Sequence, residues 1–153
     1  MGSNDAGLRG AVTAVESIVR DGVLLAYIVR ADTTSAATSF FTGDDAAFQA
    51  GFVVYPAGGA IVPHVHVPVV RTVVGTSELL LVREGRCVVD IYGDDRGLVT
   101  SRELATGDLV LLLAGGHGFR MLEDTVLLEI KQGPYNGLVE KERFAAAPEP
   151  GRE

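Results

Sequence analysis

Three histidines carry most of the chemistry available to this chain. His64 and His66 stand two residues apart in Gly58-Gly-Ala-Ile-Val-Pro-His64-Val-His66, and His117 is flanked by Gly115, Gly116 and Gly118. In a β-strand alternate side chains share a face, so a strand over Ile61 to Val67 points His64 and His66 the same way. Two neighbouring imidazoles suit a divalent transition metal, and the apolar residues around them keep water away and the rings neutral. The competing reading is a polar pair whose ring nitrogens bond to backbone. The glycines around His117 permit close backbone approach, which lets a third imidazole join the first two; otherwise it is a solvated loop histidine.

Other charged residues offer themselves to a substrate. Arg71 interrupts the apolar stretch Val69-Val70-Arg71-Thr72-Val73-Val74, and arginine is seldom buried without an anion. Its planar fork would hold a carboxylate or phosphate, or it points outward from a hairpin. In Thr125 to Lys131, Val126, Leu128 and Ile130 alternate with Leu127, Glu129 and Lys131. If the second face lines a cavity, Glu129 and Lys131 need partners and would orient a polar substrate; the alternative is an edge strand with a solvated face. Glu78 opens a strand after Thr-Ser, facing either inward or into an exposed turn. Cys87 shares a face with Val89 and Ile91, the pattern of a buried, inert thiol. Arg120 reads as a surface ion pair with Glu123 and Asp124. Tyr55 and Tyr92 read as strand residues whose hydroxyls reach solvent.

The elements that must position these groups are short strands. Ala11 to Val19 and Val23 to Arg30 form a hairpin about Asp21-Gly22. Asp32 to Phe48 lacks a clean period and reads as a connection. The remaining strands are expected over Gln49 to Tyr55, Ile61 to Val67, Glu78 to Arg83, Arg86 to Tyr92, Val99 to Leu104, Leu109 to Leu113, Phe119 to Leu122 and Thr125 to Lys131. About ten short strands separated by Gly and Asp predict an all-β antiparallel sandwich or barrel. The expected organisation is a flexible N-terminus over 1–10, one domain over 11–142 and a loose, flexible tail rich in Ala, Pro and charge over 143–153.

Composition narrows the function. The net charge of −7, with only two lysines in 153 residues, argues against nucleic acid. No apolar run approaches the ~18 residues of a membrane span. One cysteine excludes an internal disulfide, and the first residues lack the basic and apolar regions of a signal peptide, so a cytoplasmic protein is expected. No nucleophile elbow, phosphate-binding loop or dinucleotide fingerprint is present.

The histidines and glycines resemble the two motifs of the cupin superfamily. Gly58 precedes His64 and His66, and Glu78 precedes Gly85, at the spacings of the first motif; Val67 to Ser77 makes eleven residues between the halves where three or four are usual. Gly107 and His117 resemble the second motif, with Leu113 in place of its proline and Met121 in place of its asparagine. The resemblance covers residues 49–131 and implies a jelly-roll barrel, the antiparallel double-stranded β-helix, usually as a homodimer. It also implies one divalent transition metal (Fe, Mn, Ni, Zn, Co or Cu) held by His64, His66, His117 and Glu78. The function expected is a metal-dependent enzyme of oxygenase, isomerase or lyase type, acting on a small polar or anionic substrate in a biosynthetic pathway, with Arg71, Lys131 and Glu129 at the substrate. Two alternatives stand beside it: a non-catalytic small-ligand-binding module, and a metal-free jelly roll like a sugar-nucleotide epimerase or isomerase, with a histidine as base.

Overall fold

Asp21 and Gly22 adopt φ of 51° and 78°, the left-handed pair that a primed two-residue turn requires. They join β1 (Glu16–Arg20) to β2 (Val23–Val29) in the expected hairpin. The computed structural model describes residues 14–133 and 140–146; the expected N-terminal tail over 1–10, the first residues of the predicted first strand and positions 147–153 of the predicted tail lie outside them. Eight further strands follow: β3 (Ser39–Phe40), β4 (Gly51–Phe52), β5 (Glu78–Glu84), β6 (Arg86–Tyr92), β7 (Leu98–Ala105), β8 (Leu109–Leu112), β9 (Gly116–Met121) and β10 (Val126–Lys131). Among the described residues no helix is long and apolar enough to cross a membrane.

The protein is all-β and every strand pairing is antiparallel. A five-stranded sheet in the order β1-β2-β8-β5-β10 and a three-stranded sheet in the order β7-β6-β9 enclose the core, and β3 and β4 form a small separate pair. Alternation decides what each strand contributes. Leu80 and Val82 on β5, Val110 and Leu112 on β8, and Ala26 and Ile28 on β2 meet Cys87, Val89 and Ile91 of β6. Burying each large aliphatic side chain contributes roughly 1.5 to 3 kcal/mol. Cys87 is fully buried, and burial raises its thiol pKa, as its strand face predicted. The connection after β2 puts Phe41 against Tyr27 and Phe52, with ring centroids 5.2 and 6.1 Å apart.

The sheets do not close into a barrel, and the departure has a local cause. The strands expected over Gln49 to Tyr55 and Ile61 to Val67 shrink to Gly51–Phe52, and residues 53–77 contain neither strand nor helix. Pro63 and Pro68 bracket the histidine run; each lacks a ladder donor and confines proline to sheet edges. Gly58 and Gly75, at φ of 82° and 81°, turn the chain on either side. The β-branched residues between them lie in solvent, with Val65 88% and Val70 97% exposed. Among the described residues the segment is tied to the rest of the fold near its ends, where Val54 N–H donates to Thr38 Oγ1 at 2.9 Å and Ser77 N–H donates to Gln132 Oε1 at 2.7 Å.

Candidate functional site

One end of the sheet pair changes from apolar to charged. Across β10, β5, β8 and β2 the register aligns Lys131, Glu78, Leu112 and Ala26 in one row. Across the other sheet, β9 sets His117 opposite Ile91. Residues paired across a ladder share a face, so the two registers deliver Glu78 and His117 to the same end of the core. His117 Nε2 stands 3.0 Å from Glu78 Oε2. The Glu78 side chain is 8% exposed, and its second oxygen lies 3.8 Å from the Nζ of Lys131 and 3.8 Å from the Nζ of Lys141.

These groups line a cavity of about 1070 Å³, within the range that holds small ligands once its open mouth is allowed for. Tyr92, Gly115, Gly75 and Thr76 line it, and residues 140–144 with Ala146 form one wall. The wall is anchored. Phe144 meets Tyr92 edge-on with centroids 5.2 Å apart, Arg96 lies 5.6 Å over the Phe144 ring, and Arg96 donates to Glu142 at 2.5 Å. Gly116 makes room, since a Cβ there would sit 3.0 Å from Phe144 Cζ.

Of the residues singled out from sequence, Glu78, His117, Lys131 and Glu129 come together. Glu129 is 3.1 Å from Lys131 Nζ; its hydrogen bond and charge, followed by the charge of Glu78, raise the lysine pKa above its ordinary value. Both sequence readings of β10 hold in part, since it is an edge strand of its sheet and Lys131 nonetheless lines the cavity. His64 and His66 do not join the cluster. They lie exposed in the strandless segment, ring centroids 5.1 Å apart, with His64 Nδ1 2.9 Å from the Val62 carbonyl. Arg71 is exposed on the same segment. The expected strand over Ile61 to Val67 is therefore corrected, though alternate spacing still leaves the two rings adjacent.

The donor set can be tested against a metal directly. Ligands about 2.1 Å from one ion, between right-angle and tetrahedral spacing, lie about 3.0 to 3.4 Å apart. Glu78 and His117 meet that distance and His64 and His66 sit beside one another, but among the described residues no three His, Cys, Asp or Glu are grouped for a metal ion. As placed, the four donors form two pairs and do not fit a single ion.

Several site residues were invisible in the sequence. Tyr92 is 7% exposed and built into the cavity, whereas Tyr55 is exposed in the strandless segment rather than in the strand expected for it. Lys141, Arg143 and Phe144 belong to a stretch without periodicity, and Arg96 adopts a left-handed φ of 64° in the β6–β7 turn. Arg120 pairs with Asp90 at 2.9 Å rather than with Glu123, which Arg86 holds at 2.7 Å. A signal for Lys141 did exist: lysine occurs only twice in the chain. Searches of protein-family models, curated proteins and solved structures find no match to this chain.

Proposed function

We propose that this chain is a cupin-type protein that binds a small polar or anionic molecule in the cavity at the end of its two sheets and acts on it as an enzyme. The observation that carries the reading is the 3.0 Å contact between His117 and buried Glu78 inside a cavity of ligand size. Supporting it are the motif spacings around both residues and the antiparallel all-β architecture, on which a jelly roll is the finer proposal. Lys131 and Glu129 orient the substrate at the cavity end of β10. A divalent transition metal is part of this proposal, with Glu78 and His117 as one half of its ligands and His64 and His66 as the other; such an ion would supply Lewis-acid or redox chemistry when bound. It requires residues 55–76 to bring the second pair to the cavity, and with them Arg71. A homodimer and cytoplasmic residence accompany the resemblance, and light scattering and fractionation test them.

The same contact favours a second, metal-free reading. A histidine oriented by a buried carboxylate is the usual pairing for a general base, here with Glu78 fixing the ring and Nδ1 as its other nitrogen. Elemental analysis of protein purified without chelator, with electron paramagnetic resonance, separates the two. Stoichiometric metal lost in both His64→Ala and His117→Ala supports the first. Metal-free protein stabilised by a small polar compound in a thermal-shift library, through Glu78 and His117, supports the second or a non-catalytic binding module, and turnover of that compound decides between these. Protein with neither metal nor any such ligand would falsify the assignment of the cavity.

A further inference from the structure

Both lysines of the chain meet at one oxygen atom. Lys131 reaches Glu78 Oε1 across the β5–β10 ladder, and Lys141 reaches it from the wall over residues 140–146, each with Nζ at 3.8 Å. The ion pairs described elsewhere in the protein use arginine: Arg20 with Asp95, Arg30 with Asp108, Arg102 with Glu16 and Arg120 with Asp90. Arginine's fork suits fixed bidentate pairing, whereas an ammonium is a compact point charge on a flexible stem that adapts to what it binds. The use of lysine is thus confined to the cavity.

We infer that Lys131 and Lys141 form a two-ammonium clamp for a carboxylate or phosphate group of the molecule in the cavity, and that residues 140–146 are a wall of the binding site through Lys141. This rests on the cavity being the binding site, and names the ligand chemistry there. A direct N–H to oxygen bond is about 2.7 to 3.2 Å long, so at 3.8 Å neither ammonium is closed onto Glu78. A ligand oxygen inserted between them takes donors from both. Glu129 neutralises Lys131 from the solvent side at 3.1 Å. The lining is mixed in charge, with Asp94, Glu140 and Glu142 beside Arg96 and Arg143, and Lys131 and Lys141 are the two ammoniums that converge on Glu78 Oε1. Phe144 and Glu142, held by Tyr92 and Arg96, fix the backbone from which Lys141 projects.

With two lysines and an N-terminal amine as internal control, amine acetylation reads the clamp without interference. The intact protein is treated with limiting acetic anhydride in sodium phosphate, in sodium malonate and in sodium chloride of equal ionic strength, and each site is quantified by peptide mass spectrometry. Labelling of Lys131 and Lys141 is expected to slow together several-fold in phosphate or malonate relative to chloride, with the N-terminus unaffected. The anion that protects identifies the group recognised. Lys141→Met abolishes the protection of Lys131, and Lys141→Arg, which keeps the charge and the wall, retains it. Equal labelling in all three salts overturns the clamp, as does unchanged protection of Lys131 in Lys141→Met. If neither anion protects while a library compound still stabilises the protein through Glu78 and His117, the cavity assignment survives and the clamp alone is lost.

Discussion

Glu78 with His117 and His64 with His66 are both pairs of metal-competent side chains, yet the protein holds them in opposite ways. The first pair is fixed by two ladder registers and a buried carboxylate. The second rides on residues 53–77, where, among the described residues, β-branched residues that would suit a strand enter no strand ladder. The difference shows that β-propensity describes fitness for a half-buried pleated surface and does not create one. Glycines make the same point. Gly115 and Gly75 share left-handed φ values of 69° and 81°, but a Cβ at Gly115 would lie 2.2 Å from the Tyr92 carbonyl oxygen, while at Gly75 nothing comes within 4 Å.

The sharpest way to test this contrast is a pair of truncations. Ile91→Ala, fully buried between the packed sheets, should lower stability by about 2 to 5 kcal/mol through the cavity it leaves, whereas Val65→Ala should stay within about 0.5 kcal/mol, both measured by urea denaturation. Comparable losses at the two sites would mean that the histidine segment is packed. Next in size, Gly115→Ala should cost more than the roughly 1 to 2 kcal/mol of the left-handed backbone alone, because the Tyr92 carbonyl must also move. Gly75→Ala should cost no more than that strain, as thermal melts would reveal.

A third experiment aims to break the contrast. Arg71 is the only arginine or lysine between Arg30 and Arg83, so tryptic cleavage there reports on residues 53–77 by itself. If a divalent metal draws the two pairs together, added zinc or manganese should slow that cleavage about tenfold or more, the factor that 1.4 kcal/mol of closure supplies. The protection should vanish in either His66→Ala or His117→Ala. Protection that survives His117→Ala would leave the histidine pair acting on its own.

The smallest effect concerns pH on the ordered side. Hydrogen bonds from Arg120, opposed by partial burial and aided by Ser101, hold the Asp90 carboxyl below its ordinary value. A depressed folded-state value means that the pair's stabilisation is present above the unfolded pKa near 3.9 and fades as pH falls through the lower folded value. Asp90→Asn should flatten the acid side of the stability profile, below the unfolded carboxylate value, and cost about 1 kcal/mol at neutral pH. An unchanged acid profile would show that the pair contributes little.

What could be read in advance follows the same division. The Asp21-Gly22 hairpin, the inward face of Cys87, Val89 and Ile91, and the charged end of β10 were legible because turn chemistry and alternation are local properties. The convergence of Glu78 with His117 came from motif spacing and agrees with the registers. The loss of the strand at Ile61 to Val67 was signalled by Pro63 and Pro68, whose effect competes with a strong β-branched pattern. Residues 143–146, expected in a loose tail, instead form part of the cavity wall; a single phenylalanine among alanine and charged residues has no period, and its seat is specified by the packing of Tyr92 and the space at Gly116.

Cys87, the second residue of β6, has no solvent exposure and is the sole thiol of the protein. A disulfide reagent can therefore reach it only when the two sheets part, and the rate of modification becomes a clock for global opening. Movements of the histidine-bearing segment leave that clock untouched, so one unmodified chain can report separately on its fold and on its site.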